Sequence, residues 1–389
     1  MRLALGVVVG CLMSVAVTDG QVLPDPSEAP LWHTAARGRG MPAVLEDRAF
    51  VTTTDHGVVA LSLSDGRQLW QRSTGESGRY TEGSRVVADL GLVVAGDWDL
   101  YAFKADSGEP AWTFHPSEGY GPGLFLGQTA GGRVFAGSPS GSIYAVDLAT
   151  GRQLWRAVVD ASVLTSVFEP ATNGRIVVAG YTRFSTPNTG GVIAVDAVTG
   201  KEQWRVRFPA PDDGSSTYSA GGAVVEKDLA FVASGDGYVW AIELETGRVR
   251  WKVPPLTGPI SGIITTTNRE LRSLGVEGGR LIVGSLTGYI VAYDIATERE
   301  VWQSQNGWLG SAGLDDFSSG DGVVYVPYTS GFLLAIDVAS GAVLWQTKDY
   351  TQGFAWPPAV AADRVIAVGA TGFWAFRPGR RPATQGERR

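Results

Sequence analysis

Residues able to do chemistry are few in this chain and poorly spaced for doing it together. The one cysteine is Cys11, and the three histidines, His33, His56 and His115, lie far apart. A thiolate metal centre needs several cysteines and a histidine centre needs close spacing, so neither is read here. Adjacent acids stand at Asp212-Asp213 and at Asp315-Asp316 in polar, Gly-rich stretches. Such a pair could hold a cation or act as a base, and solvated loop acids have the same appearance. Around them lie Arg79, Tyr80, Tyr120, Tyr218, Trp308, Phe317, Phe354 and Trp356. This mixture suits a binding surface for a protein edge or a flat ligand, or plain packing of loops onto a scaffold. No nucleophile–base constellation is present. "GSIYA" and "GDGYV" read as turns, and there is no phosphate loop or dinucleotide fingerprint. The expectation is therefore no catalytic residue and no metal ligand.

These candidates share a placement: most lie in the variable stretch that follows a tryptophan, and the tryptophans belong to a repeat. "AVDLATGRQLW" runs from Ala145 to Trp155, and "AIDVASGAVLW" from Ala335 to Trp345. Five more copies begin at Ala60, Ala102, Ala194, Ala241 and Ala292, each with its Trp ten residues on. The alanines step by 42, 43, 49, 47, 51 and 43 residues. Each copy follows a β-branched run such as "LVVAGD" or "IVVAGY", with a Gly-bearing turn between. One unit then reads strand, turn, Ala strand, Thr-Gly turn, Trp strand, with a fourth strand in the variable stretch. A β-rich period of 40–50 residues indicates propeller blades and excludes helical solenoids.

Each motif position has a physical role. The Asp, as at Asp147, can accept from backbone amides of the turn that follows. The Gly, as at Gly151, supplies positive φ. The Trp offers a large face to bury between blades and an N–H to satisfy. Glu298 replaces this Gly in one copy, which predicts either a different turn or modest strain there.

The eighth unit has its strand, turn and Ala375 but no Trp, and Pro378 ends it. Trp32 has the right context and no Ala strand before it. A strand from each terminus would complete one blade, which protects the edges of the ring. The reading is one all-β domain over residues 31–378, an eight-bladed propeller of four-stranded antiparallel blades closed by an N-terminal strand. A last unit serving only as a cap would make seven.

Charged residues make up 18% of the chain and the net charge is −7, without a basic face, which argues against nucleic acid as a partner. Arg2 followed by apolar Leu3 to Val17 reads as an export signal within residues 1–20. It is too short for a spanning helix, and no later stretch reaches the length. "VVGC", residues 8–11, resembles a lipoprotein box with Cys11 as the lipidated residue; ordinary cleavage after Ala16 or Gly20 is the alternative. The chain is thus expected to be exported, periplasmic or envelope-associated, with Cys11 as a membrane tether. Two insertions, Tyr181–Gly191 and Thr257–Gly279, are candidate partner sites, and "NRELRSLG" in the second reads as a short helix. Residues 379–389 read as a disordered basic tail.

The phrase A-x-D-x-x-T-G-x-x-x-W resembles the repeat of the pyrroloquinoline quinone (PQQ) propeller superfamily, over about Leu31 to Pro378. The resemblance implies that Trp32, Trp70, Trp112, Trp155, Trp204, Trp251, Trp302 and Trp345 form a structural girdle docked on adjacent blades. Architecture is closest to the BamB family of outer-membrane assembly lipoproteins. That implies a non-catalytic exported scaffold binding envelope or secreted proteins, with no cofactor. The dehydrogenase branch implies PQQ with Ca²⁺, but this chain has no adjacent Cys pair and no stretch matching the calcium or base segments. A module for a small ligand or polysaccharide is the third reading.

Overall fold

The computed structural model describes residues 28–74, 85–96, 98–116, 123–160, 164–209, 221–235, 237–253, 271–285, 289–305, 317–328, 331–348, 353–354, 356–361 and 363–379. These residues form eight antiparallel sheets and no helix. Blade 1 is Gly38–Leu45, Arg48–Thr53, Gly57–Ser62 and Gln68–Ser73, ordered from the axis outward. Blades 2 to 7 follow in chain order. Blade 8 is Ala359–Ala361, Arg364–Gly369 and Gly372–Phe376, with Trp32–Ala35 as its outermost strand. The innermost strand of blade 1 lies beside both Val86–Asp89 of blade 2 and Ala359–Ala361 of blade 8, which closes the ring at eight.

The repeated phrase is a strand register. Ala60 faces Trp70, Ala102 faces Trp112, Ala145 faces Trp155 and Ala194 faces Trp204. Ala241, Ala292 and Ala335 face Trp251, Trp302 and Trp345 in the same way. Trp32 faces Ala375, so the eighth pair is made from the two ends of the chain. In the seven units with a continuous chain the register slips by one residue directly after the Ala. Such a bulge sharpens local twist, so these seven blades twist at the same height, while the Trp32–Ala375 pairing of blade 8 runs without a slip.

Buried side chains do not form one core. They divide into eight clusters, one between each pair of adjacent blades. Six of the eight indoles also tie their blade to the next, while Trp251 and Trp345 Nε1 have no such bond. Trp70 Nε1 donates to Ala105 O, Trp112 to Leu148 O, Trp155 to Ala197 O and Trp204 to Leu244 O, at 2.8–3.1 Å. Trp32 donates to Leu63 O and Trp302 to Val338 O. The turn glycine lies flat on the same ring: a Cβ at Gly151 would come within 2.6 Å of Trp112. The glycine is needed for this approach as well as for its φ of 72°.

Glu298 keeps the turn of its counterparts. Its N–H bonds Asp294 O at 2.8 Å, as Gly151 N bonds Asp147 O at 2.8 Å, and its φ is 59°. Of the two sequence expectations, strain is the one realised. The helix expected over "NRELRSLG" is not formed in its described part: Leu271–Glu277 is the innermost strand of blade 6, paired with Arg280–Ser285. The ring needs an inner strand at that place, and this requirement overrides local helix preference. No helix among the described residues is long and apolar enough to cross a membrane.

Candidate functional site

Antiparallel blades put every second connection at the same end of the ring. One end carries the tight turns within the Ala–Trp hairpins. The other carries the connections that leave the Trp strands, the variable stretches singled out from sequence. Of the candidate binding residues there, Arg79, Tyr80, Tyr120, Tyr218, Trp308, Asp315 and Asp316 lie outside the described residues, as do Asp212, Asp213 and Cys11.

Three candidates are described. Phe354 is 1% exposed and packs edge-on against Trp374 and Phe376, so its ring belongs to the contact between blades 7 and 8. Phe317 is buried beside Gly275, and Trp356 is half-buried at the inner rim of blade 8. Phe317 and Trp356 converge on one cavity of about 250 Å³ at the ring axis. All eight blades supply a wall, among them Met41, Arg85, Gln128, Glu169, Gly222 and Leu274.

The charged residues of this cavity were not singled out from sequence. Glu169 precedes Pro170, where the inner strand of blade 4 breaks into Thr165–Val167 and Ala171–Thr172. The break turns the Glu169 side chain toward the axis. Burial pushes its carboxyl up, and the Arg85 guanidinium pulls it part of the way back. Its Oε2 lies 3.3 Å from where a Cβ at Gly222 would stand. Gln128 is spent on structure, its Oε1 accepting from Thr172 N at 2.9 Å.

Farther out at the same end, the central hairpin of blade 4 is lengthened: Ile176–Arg183 and Thr189–Asp196 have eight residues each. Arg183 pairs with Asp160 at 2.8 Å. Phe184 and Leu164 are joined by a backbone bond and remain 46% and 67% exposed.

The described residues at the axis do not supply a site for a quinone–calcium group. Ca²⁺ takes six to eight oxygen ligands, several from carboxylates. Among the described residues the only carboxylate lining the cavity is Glu169, and no group of three or more His, Cys, Asp or Glu is placed to hold a metal.

The family profile described as "Outer membrane protein assembly factor BamB" matches residues 13–112, 96–304 and 286–378. A curated protein of that name from Bordetella pertussis is 25% identical over 330 residues, covering 69% of this chain and 77% of the relative. Among solved structures, BamB from Moraxella catarrhalis superposes with a TM-score of 0.65 at 18% identity, over 90% of this chain and all of that one. Quinohemoprotein alcohol dehydrogenase from Pseudomonas putida HK5 superposes with a TM-score of 0.67 at 14% identity, over 92% of this chain and 78% of that one. At those identities the two structures speak to fold alone, whereas the profile begins at residue 13 and spans the whole ring. The chain belongs to the family of outer membrane protein assembly factor BamB.

Proposed function

We propose that the protein is an exported, non-catalytic scaffold that binds other proteins of the cell envelope during outer-membrane protein assembly. The observation that carries this reading is the match of the assembly-factor profile from residue 13 to residue 378. The described part of the ring supports it: the variable connections and the lengthened hairpin of blade 4 gather at one end. That end is the binding face in this reading. Variable loops on a rigid frame are the usual place for recognition. The leader and Cys11 would deliver the ring to the envelope and, if Cys11 is lipidated, hold it at a membrane surface.

The test is photo-crosslinking in cell envelopes, with the probe placed at Phe184 on the proposed face and at Asp65 on the other. Discrete adducts with outer-membrane assembly components from Phe184 and none from Asp65 are the expected result. Adducts only from Asp65, or none from either with the protein present in the envelope, would overturn it.

A further inference from the structure

The seams of the ring are not equally fastened. Six are tied by an indole that donates to a carbonyl of the next blade. Between blades 7 and 8 the Trp345 Nε1 is unbonded, and other contacts stand in for it. Gly379 N donates to the Tyr325 hydroxyl at 2.9 Å, and Glu28 N donates to Gln346 O at 3.3 Å. Phe354 also packs edge-on against Trp374 and Phe376. Between blades 5 and 6 the Trp251 Nε1 is buried without a partner. Arg250 reaches Glu298 across this seam at 3.2 Å, but both side chains are more than a third exposed, and water screens such a pair.

A closed seam of this kind favours opening. A buried N–H without an acceptor has lost its water and gained nothing, and parting the blades returns the water. Glu298 adds to the effect. In six other hairpins the glycine at its place lies on the preceding indole, where a Cβ would come within 2.4–2.8 Å. A side chain there holds the turn off the ring, so the contact with Trp251 is forgone.

We propose that the ring opens between blades 5 and 6, ahead of its closure at blade 8, and so has one built-in place at which its circumference can change. Blade 8 is where the chain ends meet, yet it is sealed by strand pairing from Trp32–Ala375 to Ala35–Gly372, and its seam with blade 1 keeps the Trp32 bond to Leu63 O at 2.9 Å. Parting two blades breaks side-chain contacts and leaves both sheets whole, so it is a local opening distinct from global unfolding. At this seam it would bare Phe231 and Val253 of blade 5 and Leu281 and Val291 of blade 6.

Matched cysteines test this. Val291 and Val59 hold the same place in the repeat, directly before the motif Ala, and are 1% and 2% exposed. Val291 packs in the seam between blades 5 and 6, and Val59 in the seam between blades 8 and 1. The full chain with Cys11→Ser carries either Val291→Cys or Val59→Cys, and labelling by a thiol reagent is followed well below the unfolding transition. Val291→Cys should react faster by about tenfold or more, the effect of one buried donor left unpaired. Adding Glu298→Gly should slow Val291→Cys and leave Val59→Cys unchanged, because the turn can then settle on Trp251. Val283 and Val51, their strand partners and both fully buried, give a second matched pair as Val283→Cys and Val51→Cys if a variant of the first folds poorly. Equal rates at the two seams, faster reaction at the blade 8 seam, or a fast Val291→Cys reaction that Glu298→Gly does not slow would overturn the proposal.

Discussion

Glu298 stands where six other Ala–Trp hairpins place a glycine, and Trp251, the indole it faces in the repeat, has no hydrogen-bond partner for its buried Nε1. The six glycines, Gly66, Gly108, Gly151, Gly200, Gly247 and Gly341, each lie on the ring of the preceding blade's Trp. Those six indoles all donate to a carbonyl of the next blade. Glu298 carries a Cβ that the close approach cannot hold, and the Trp251 N–H is left unbonded. The seam between blades 5 and 6 is therefore built differently from its neighbours. Arg250 spans it to Glu298 at 3.2 Å, a half-exposed pair of little energetic consequence.

Glu298→Gly should stabilise the protein. The substitution relieves a left-handed conformation that costs a non-glycine residue about 1 kcal/mol and reopens the approach of the turn to Trp251. The denaturant midpoint should rise with an unchanged slope. A fall in the midpoint would mean that the Arg250 contact outweighs the backbone term.

The indoles are predicted to differ in what their nitrogen contributes. Trp155→Phe removes a buried bond and leaves Ala197 O without its donor. Trp251→Phe removes no such bond. Both lose ring volume, so the first should cost about 1 kcal/mol more than the second. Urea unfolding of the two variants side by side measures the difference, and equal losses would show that ring burial alone sets the strength of the girdle.

Acid should weaken the blades through their turns. Hydrogen bonds from Thr150, Thr199 and Thr297 hold the carboxyls of Asp147, Asp196 and Asp294 below the ordinary value of 3.8. A carboxyl whose folded pKa is depressed contributes stability that is present above its unfolded pKa and is lost as pH falls through the folded one. Melting temperature should accordingly drop below about pH 3.8, starting from the unfolded-state value. Asp147→Ala and Asp196→Ala together should flatten that drop while lowering the plateau above it. An unchanged acid limb in the double variant would assign the loss to other carboxylates.

Closure of blade 8 makes a prediction about connectivity. Glu28 lies 3.5 Å from Arg377, so the two ends of the ring are adjacent. Joining residue 379 to residue 28 through a short linker, and opening the chain at Gly131-Gly132, should give a folded monomer with native circular dichroism. Deleting residues 28–35 without permutation should expose the edge of Gly372–Phe376 and produce aggregates on gel filtration. A monomeric, native-like deletion protein would show that the strand is dispensable.

Much of this architecture was readable from the repeat, because Ala and Trp ten residues apart are neighbours across a single hairpin. Even the Trp32–Ala375 pair could be read, since each end lacks what the other supplies. The bulge after each Ala was hidden, because one unpaired residue leaves no mark in composition. The helix expected at "NRELRSLG" followed local preference, and the ring's need for an inner strand lies far from those residues in sequence. The axial site was the least readable. Glu169, Arg85 and Trp356 belong to three blades, and only closure of the whole ring brings them to one axis.

The pairing of Trp32–Ala35 with Gly372–Phe376 also orders events in time. The strand made first is bonded to the strand made last, so the ring stays open until nearly the whole chain has emerged. Until then a growing row of blades carries a bare edge at its advancing end. A factor that shields such an edge would therefore matter until Gly372–Phe376 has met Trp32–Ala35.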